Sequence, residues 1–405
     1  MDTGDTAWIL TSAALVLFMT PGLALFYGGM VRSKNVLAML MKNYVAIGVV
    51  TITWVTVGFS LAFSGDVGGV IGDLNLWGLR DIGLENTLFE HTVPDSAFAM
   101  FQFMFAIITP ALIAGAVAER IKFSAWAIFI AVWSILVYAP LAHWVWGGGF
   151  IGADLQAIDF AGGLVVHINA GIAALALVIA LGPRIGFRRE VIRPHSLPLT
   201  VLGAGMLWFG WFGFNAGSAL GASGAAANAF LTTQIAAAVA ATCWVIAEAV
   251  THGKPTTLGF ASGAVAGLVA ITPASGFVGP LSAVVIGAAA GFLCFWALRL
   301  KFRFNFDDSL DVVAVHLVGG IIGAVLLGLF AEERIGGVNG LFFGAPEQLL
   351  RQIASVVITM VFSFVVSYVI ALILKATIGL RVSEQEERSG LDLSLHEEQG
   401  WVLAD

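Results

Sequence analysis

Long apolar segments with almost no charge constrain this chain more than any other feature of its sequence. Each is about 20 residues long, and a helix of that length crosses a hydrocarbon core of roughly 30 Å. Because lipid offers no partners to backbone N–H and C=O groups, each segment must bond its own backbone as a helix. We predict eleven spans, at residues 9–30, 43–64, 97–117, 123–143, 163–182, 198–217, 229–250, 257–273, 279–299, 312–331 and 350–374.

The composition supports an all-α integral membrane protein surrounded by lipid. Hydrophobic residues make up 59% of the chain and charged residues 11%, whereas soluble domains carry roughly 25% charged residues. Cys243 and Cys294 lie inside apolar segments, so we expect packed thiols and neither a disulfide nor a metal site. The N-terminus has no basic stretch and no cleavage site, so no signal peptide is expected. No cofactor and no nucleic-acid partner is expected.

Lysine and arginine residues indicate the orientation, because positively charged loops stay on the cytoplasmic side. With eleven spans, all but three of the 19 Lys and Arg residues fall on one side, the exceptions being Arg80, Arg334 and Arg351. We therefore predict that the N-terminus is outside and the C-terminus inside. Residues 1–378 would form the membrane domain and 379–405 a cytoplasmic tail, whose polar composition by itself fits a disordered segment.

Two histidines occur in similar apolar surroundings, in the fifth and tenth spans. His167 and His316 each follow an aspartate by eight residues, Asp159 and Asp308, and each precedes a glycine at +4. This recurrence predicts two inverted five-helix repeats, about 9–182 and 198–331, with one extra helix near 350–374. Counting depth from opposite faces, both histidines fall near the midplane, roughly 12 Å from the aspartates.

Ionisable residues at the centre of a bilayer usually line a pathway, because burying them is costly. A single membrane histidine is as readily explained by an interhelical hydrogen bond, but two at matched depth favour a shared function. A neutral imidazole pair can hydrogen-bond to a small polar guest or pass a proton. Metal binding would need further ligands, and none is evident nearby in the sequence.

Aromatic residues cluster at three helix ends that the predicted topology places outside. Trp146 could attract a small cation by its indole face, with the Ser218 hydroxyl as acceptor. Phe101 and Phe105 share one helix face, and with Phe214 they could close the mouth. An interfacial aromatic belt is the competing interpretation, and it is the one we adopt for the remaining candidates, Trp8, Trp77 and Trp126.

The order of these motifs resembles the ammonium transporter/methylammonium permease/Rh family, specifically its bacterial ammonium transporters, over nearly the whole chain. The resemblance rests on FMTPGLALFYGGMVRSKNVL (18–37), AGAVAERIKFSA (114–125), HWVWGGG (143–149), DFAGGLVVHINAGIA (159–173), LPLTVLGAGMLWFGWFGFNAGSA (197–219), GKPTTLGFASGAVAGLVAITPASG (253–276), DDSLDVVAVHLVGGIIG (307–323) and GLRVSEQEERSGLDLSLHEE (379–398).

The resemblance implies a homotrimer with one pore per subunit, in a bacterial inner membrane. A PII-type signal protein is the possible partner at the cytoplasmic face. The matching motifs imply a role for each site residue. Trp146 and Ser218 would recruit ammonium, with Phe101 in the wall of that site, and Phe105 and Phe214 would form a gate below it. His167, His316 and Trp211 would line the pore, and Asp159 would be a structural carboxylate.

The function that follows is transport of ammonium, with methylammonium as an analogue. NH4+ would be recruited outside, lose its proton near the gate and pass the histidines as NH3. A sensor that binds ammonium without flux is the main alternative. An intramembrane serine protease is the enzyme alternative, since GASG (221–224) resembles a nucleophile motif with Ser223, although turn residues explain it better. We therefore expect no enzyme activity.

Overall fold

Helices make up most of the fold in the computed structural model, which describes residues 1–85, 88–89 and 91–401. Those of six or more residues are, in chain order, α1 (Thr3–Met30), α2 (Ser33–Phe63), α3 (Asp95–Ile113), α4 (Phe123–Trp146), α5 (Gly163–Leu181), α6 (Leu197–Gly217), α7 (Gly224–His252), α8 (Thr257–Ile271), α9 (Pro280–Arg303), α10 (Val313–Phe330), α11 (Pro346–Thr377), α12 (Glu384–Ser389) and α13 (Leu391–His396). A short hairpin pairs β1 (Asp66–Val67) with antiparallel β2 (Ile71–Gly72).

Ten helices in the described part of the chain are long and apolar enough to cross a membrane. The protein is therefore a multi-pass membrane protein. The segment predicted as the eighth span forms α8, an apolar helix of 15 residues that is shorter than the other ten. It ends at Ile271 and is followed by a turn, in which Thr272 donates its hydroxyl to the Leu268 carbonyl. The count of eleven spans stays a prediction.

The end of α3 differs from the prediction, which continued that span to residue 117. The helix ends at Ile113, and the chain then turns through residues 114–120. Glu119 takes a positive φ of 70° there and accepts hydrogen bonds from Arg32 and Asn35. The end of the predicted span is thus a non-helical turn whose carboxylate bonds a neighbouring loop, and the apolar composition of the segment did not indicate this.

Buried charges join the loops at the predicted cytoplasmic end of the bundle. Arg184 bonds Asp307 through three N–H groups, at 2.8 to 2.9 Å, and bonds Glu119 at 3.2 Å. Burial would raise the pKa of Asp307, but the Arg184 hydrogen bonds and the nearby Arg120 charge outweigh it and hold the pKa at about 2. Burial likewise opposes ionisation of Glu119, yet Arg184 and Arg32 lower its pKa. This network ties four loops into one unit.

The tail beyond residue 378 is folded as far as the structure describes it, to Trp401. Leu391 is fully buried, and Asp392 accepts hydrogen bonds from the N–H groups of Leu37 and Ala38 at 3.0 and 2.8 Å. Glu387 accepts from the N–H of Ile185. The interpretation of this segment as disordered is wrong, because its acidic residues bond backbone N–H groups of the helical domain.

The helices that carry the two histidines, α5 and α10, approach each other closely. A Cβ built on Gly171 would lie 2.4 Å from the backbone nitrogen of Leu317, and one on Gly320 would lie 2.8 Å from Cγ1 of Ile168. Neither glycine could carry a side chain without moving a neighbouring helix. The small residues that follow each histidine in the sequence therefore set the distance between the two helices.

We predict that Gly171→Ala separates α5 from α10 and destabilises the protein, because the clash is with backbone. The expected cost is about 1–3 kcal/mol, measured as a lower thermal unfolding midpoint in detergent. Gly205→Ala is the matched control, since nothing lies within 4 Å of its Cβ position. Equal midpoints for the two variants would contradict the close approach.

Candidate functional site

A cavity of about 310 Å³ lies at the predicted outer end of the bundle. Three of the predicted recruitment residues, Phe101, Trp146 and Ser218, line it together with the gate residue Phe105. Further lining residues are His91, Phe63, Phe98, Gln102, Val145, Phe160 and Leu220. The structure thus brings side chains from the loop before α3, from α3, α4 and the end of α6 to one site.

Hydrogen bonds to the backbone orient two polar groups of this cavity, the Trp146 indole and the Ser218 hydroxyl. The Trp146 indole N–H donates to the carbonyl of Asp159 at 2.9 Å, and the Ser218 hydroxyl donates to the carbonyl of Phe214 at 2.9 Å. Because the Ser218 hydrogen is used, its oxygen presents lone pairs that accept hydrogen bonds. An aromatic wall and a hydroxyl acceptor together suit a small cation that carries N–H donors.

Closely packed phenylalanine rings, tilted against one another, form the floor of the cavity. The ring centroids of Phe105 and Phe214 are 4.4 Å apart, and Phe101 packs against Phe105 at 4.9 Å. Phe105 also meets the edge of Trp146 at 6.1 Å. Phe105 and Phe214 are almost completely buried, so the chain closes this point with apolar surface alone.

Below the floor, His167 and His316 stack on one another with centroids 5.4 Å apart and planes 21° apart. Their Nδ1 atoms are 3.3 Å apart, within hydrogen-bond distance. When both rings are neutral, one Nδ1 donates and the other accepts, so one Nε2 carries a hydrogen and the other a lone pair. Nε2 of His167 has no hydrogen-bond partner among the described residues. The pair can therefore offer both a donor and an acceptor to a guest.

Two smaller cavities continue the path past the histidines. One, of about 10 Å³, is lined by Phe214, Trp211 and both histidines, and has room for roughly one water-sized molecule. The other, of about 90 Å³, is lined by His316, Glu248 and Asp311 and opens toward the opposite end. His316 and Phe26 line both. The three cavities follow one another from end to end, separated by the phenylalanine floor and the imidazole pair.

Trp211 is held against the histidine pair from the side. Its ring stacks on His167 at 5.4 Å, and its indole N–H donates to the Thr272 hydroxyl at 2.8 Å. Thr272 lies in the turn that ends α8, so this short helix places the partner of Trp211. The sequence showed Trp211 only through the family motif and did not indicate Thr272.

Both histidines lie in wide π-helical turns, at Gly163–Ile168 and Val313–Leu317, where helices often carry functional residues. The predicted aspartate lies shortly before each turn and accepts hydrogen bonds from backbone N–H groups at its start. Asp159 accepts four backbone N–H groups, from residues 162 to 165, at 2.7 to 3.3 Å. Asp308 accepts the N–H of Val313 at 2.7 Å. The spacing of eight residues between Asp and His thus corresponds to one local structure, used twice.

Comparisons with known proteins agree on one family. The sequence matches the Ammonium Transporter Family over residues 7–401. The chain belongs to the ammonium transporter family. Relatives named ammonium transporter occur in Aquifex aeolicus, at 50% identity over all of this chain and 94% of the relative, and in Bacillus subtilis, at 47% identity over 99% of both.

Solved structures share the fold of this chain. The crystal structure of Candida albicans Mep2 matches with a TM-score of 0.89 at 35% identity, over 95% of this chain and 88% of that one. A structure described as a sensor Amt protein matches with a TM-score of 0.91 at 32% identity, over 97% and 98%. The family is one of transporters, not of enzymes.

Two competing interpretations of the sequence can now be judged for this member of the family. Ser223 caps α7, accepting the N–H of Ala226, which accounts for the GASG segment as a helix start. The interpretation of Trp126 as a residue of an interfacial aromatic belt is wrong. Trp126 is fully buried and donates its indole N–H to the Lys42 carbonyl at 2.9 Å. Trp77 is 56% exposed, as an interfacial residue should be.

We predict that Asp159→Asn destabilises the turn that carries His167. An asparagine NH2 would face backbone N–H groups that the second carboxylate oxygen now satisfies, at a cost of about 1–3 kcal/mol. The thermal unfolding midpoint should fall, and the control Asp154→Asn, an exposed residue of the neighbouring loop, should leave it unchanged. A midpoint for Asp159→Asn equal to that of the control would show that the cap is dispensable.

Proposed function

We propose that this protein conducts ammonium across the membrane, binding NH4+ at the outer cavity and passing NH3 along the histidine pair. The succession of three cavities through the bundle, interrupted by an apolar floor and lined by two imidazoles, is the observation that carries the proposal. Family membership and the transporters among its relatives support it.

Recruitment would use the outer cavity. The faces of Trp146 and Phe101 attract a cation, and the Ser218 oxygen accepts one of its N–H groups. A desolvated cation–π contact contributes up to about 2 kcal/mol, which favours NH4+ over neutral solutes. NH3 alone would gain little from the aromatic wall.

The proton would leave before the substrate passes the floor. Phe105 and Phe214 offer no group that could replace the hydration of an ion, and transfer of an isolated charge into such a space is strongly unfavourable. Neutral NH3 avoids this cost and can hydrogen-bond to the imidazole nitrogens beyond. K+ has no proton to lose, so the same barrier rejects it.

Several finer features of the architecture belong to the same proposal. We propose eleven spans, with α8 as the short eighth one, an outside N-terminus and an inside C-terminus. The two Asp–His turns support inverted halves. A homotrimer, a bacterial inner-membrane location and a PII-type partner at the cytoplasmic face are proposed from the family resemblance.

The deciding experiment is methylammonium uptake by a transporter-deficient bacterial strain that expresses this chain. We expect saturable uptake, with KM raised about 10- to 30-fold by Trp146→Leu, since the cation–π contact is lost. Trp77→Leu, an exposed tryptophan outside the cavity, is the matched control. Binding without uptake would support a sensor instead. In proteoliposomes, K+ transport as fast as that of ammonium would refute selection by deprotonation.

We predict that external acid weakens recruitment through His91. Burial lowers the pKa of this cavity residue, although the charge of Asp95 acts in the opposite direction. The ring is therefore neutral at neutral pH. It takes up a proton only when the pH falls below the usual pKa of histidine, and the resulting imidazolium then repels NH4+ from the cavity. KM for NH4+ should rise toward about pH 5, and His91→Gln should abolish the rise. The exposed His252→Gln is the control and should show the same rise in KM as the wild type. The same rise in His91→Gln would contradict this role of His91.

A further inference from the structure

His143 lies in the last turn of α4, three residues before Trp146, and its side chain is fully buried. Its Nε2 is 2.9 Å from a carboxylate oxygen of Asp66, and its Nδ1 is 3.1 Å from the carbonyl oxygen of Ala62. Both ring nitrogens are thus within hydrogen-bond distance of an oxygen, and His143 does not line any of the three cavities of the proposed path.

The two oxygens decide how many hydrogens the ring carries. A backbone carbonyl and an ionised carboxylate only accept, so each contact requires an N–H from the ring. A neutral imidazole has one N–H, whereas an imidazolium has two. Asp66 is the ionised partner: its side chain is 43% exposed, and the contacts with His143 and the Gly69 N–H hold its pKa below the usual range. The ring must therefore supply both hydrogens.

We propose that His143 is a positioning residue that donates from both ring nitrogens and so holds the β1–β2 hairpin against the helix end carrying Trp146. The proposal rests on the proposed function for its effect on substrate, but not for the protonation of the ring. The location suits a cation, because the C-terminal end of α4 carries the negative end of the helix dipole.

Contacts on either side connect this ion pair to the substrate cavity. In the hairpin, the carbonyl of Gly69 accepts from the N–H of Phe150 at 3.0 Å, and the carbonyl of Val70 accepts from the Trp144 indole. On the helix side, the carbonyl of His143 accepts from Gly147 and Gly149 at 3.0 and 2.9 Å. These bonds shape the turn that directly follows Trp146.

Two further aspartates, one after the hairpin and one in the loop after α4, bond other groups in the described part of the chain. Asp73, across the hairpin, bonds Ser64 and Asn75. Asp159, beyond Trp146, bonds four backbone N–H groups. Asp66 is the titratable group in contact with the His143 ring, so it is the residue to change.

The protonation is tested by nitrogen NMR of the full-length protein labelled with 15N-histidine, in detergent or nanodiscs. We expect His143, assigned by its loss in His143→Gln, to show two protonated ring nitrogens from about pH 6 to about pH 8. A single protonated nitrogen at neutral pH would overturn the proposal, and this measurement needs neither a folded Asp66 variant nor any transport.

The positioning role is tested by the pH dependence of methylammonium uptake in Asp66→Asn. The amide cannot stabilise the cation, so the ring loses its proton as pH rises, and KM should increase about threefold to fivefold toward pH 8 while kcat is retained. Wild type and the hairpin control Asp73→Asn should keep a flat KM. A flat KM in Asp66→Asn would overturn the positioning role. Absence of uptake by the wild type would refute the proposed function and leave the NMR result to decide the protonation.

Discussion

The contact between the imidazoles of His167 and His316 is the interaction on which the rest of this structure depends. It needs α5 and α10, from distant parts of the chain, to lie so close together that Gly171 packs directly against the backbone of the other helix. It also needs each histidine to project from a widened helical turn. Two carboxylates make those turns possible by accepting the N–H groups that a helix start leaves without partners. In a membrane such groups have no water to bond, so the aspartates are as necessary as the histidines.

Selectivity in the proposed path arises from a contrast between neighbouring environments. Above the floor, indole and phenyl faces and one hydroxyl suit a cation. Below it, two stacked rings suit a neutral molecule that both donates and accepts hydrogen bonds. The phenylalanine pair separates the two environments and offers no polar group of its own, so an ion would have to give up its charge to pass.

The two ends of the bundle are held by different means. At the predicted cytoplasmic end, Arg184 and its carboxylates are buried together, and the folded tail adds further acidic contacts to backbone N–H groups. Removing one member of such a network leaves an unpaired buried charge, which costs more than the intact pair contributes. At the predicted outer end, the hairpin and the contact of His143 with Asp66 support the turn beside Trp146.

The sequence by itself determined the membrane class and the positions of the long helices. The length of an apolar segment is a local property of the sequence, and it decides whether a helix can span the hydrocarbon core. It also indicated the histidines and their aspartates, since the repeated spacing of eight residues between them can be recognised without knowledge of the fold. Only the tertiary structure decided that α3 stops early, that the tail is folded and that Trp126 is buried. It also decided that Thr272 bonds Trp211, that His91 lines the outer cavity and that His143 contacts Asp66. Each of those outcomes depends on a partner far away in the chain, such as Arg32 for Glu119 or Asp66 for His143, and distant partners leave no periodic trace in a single sequence.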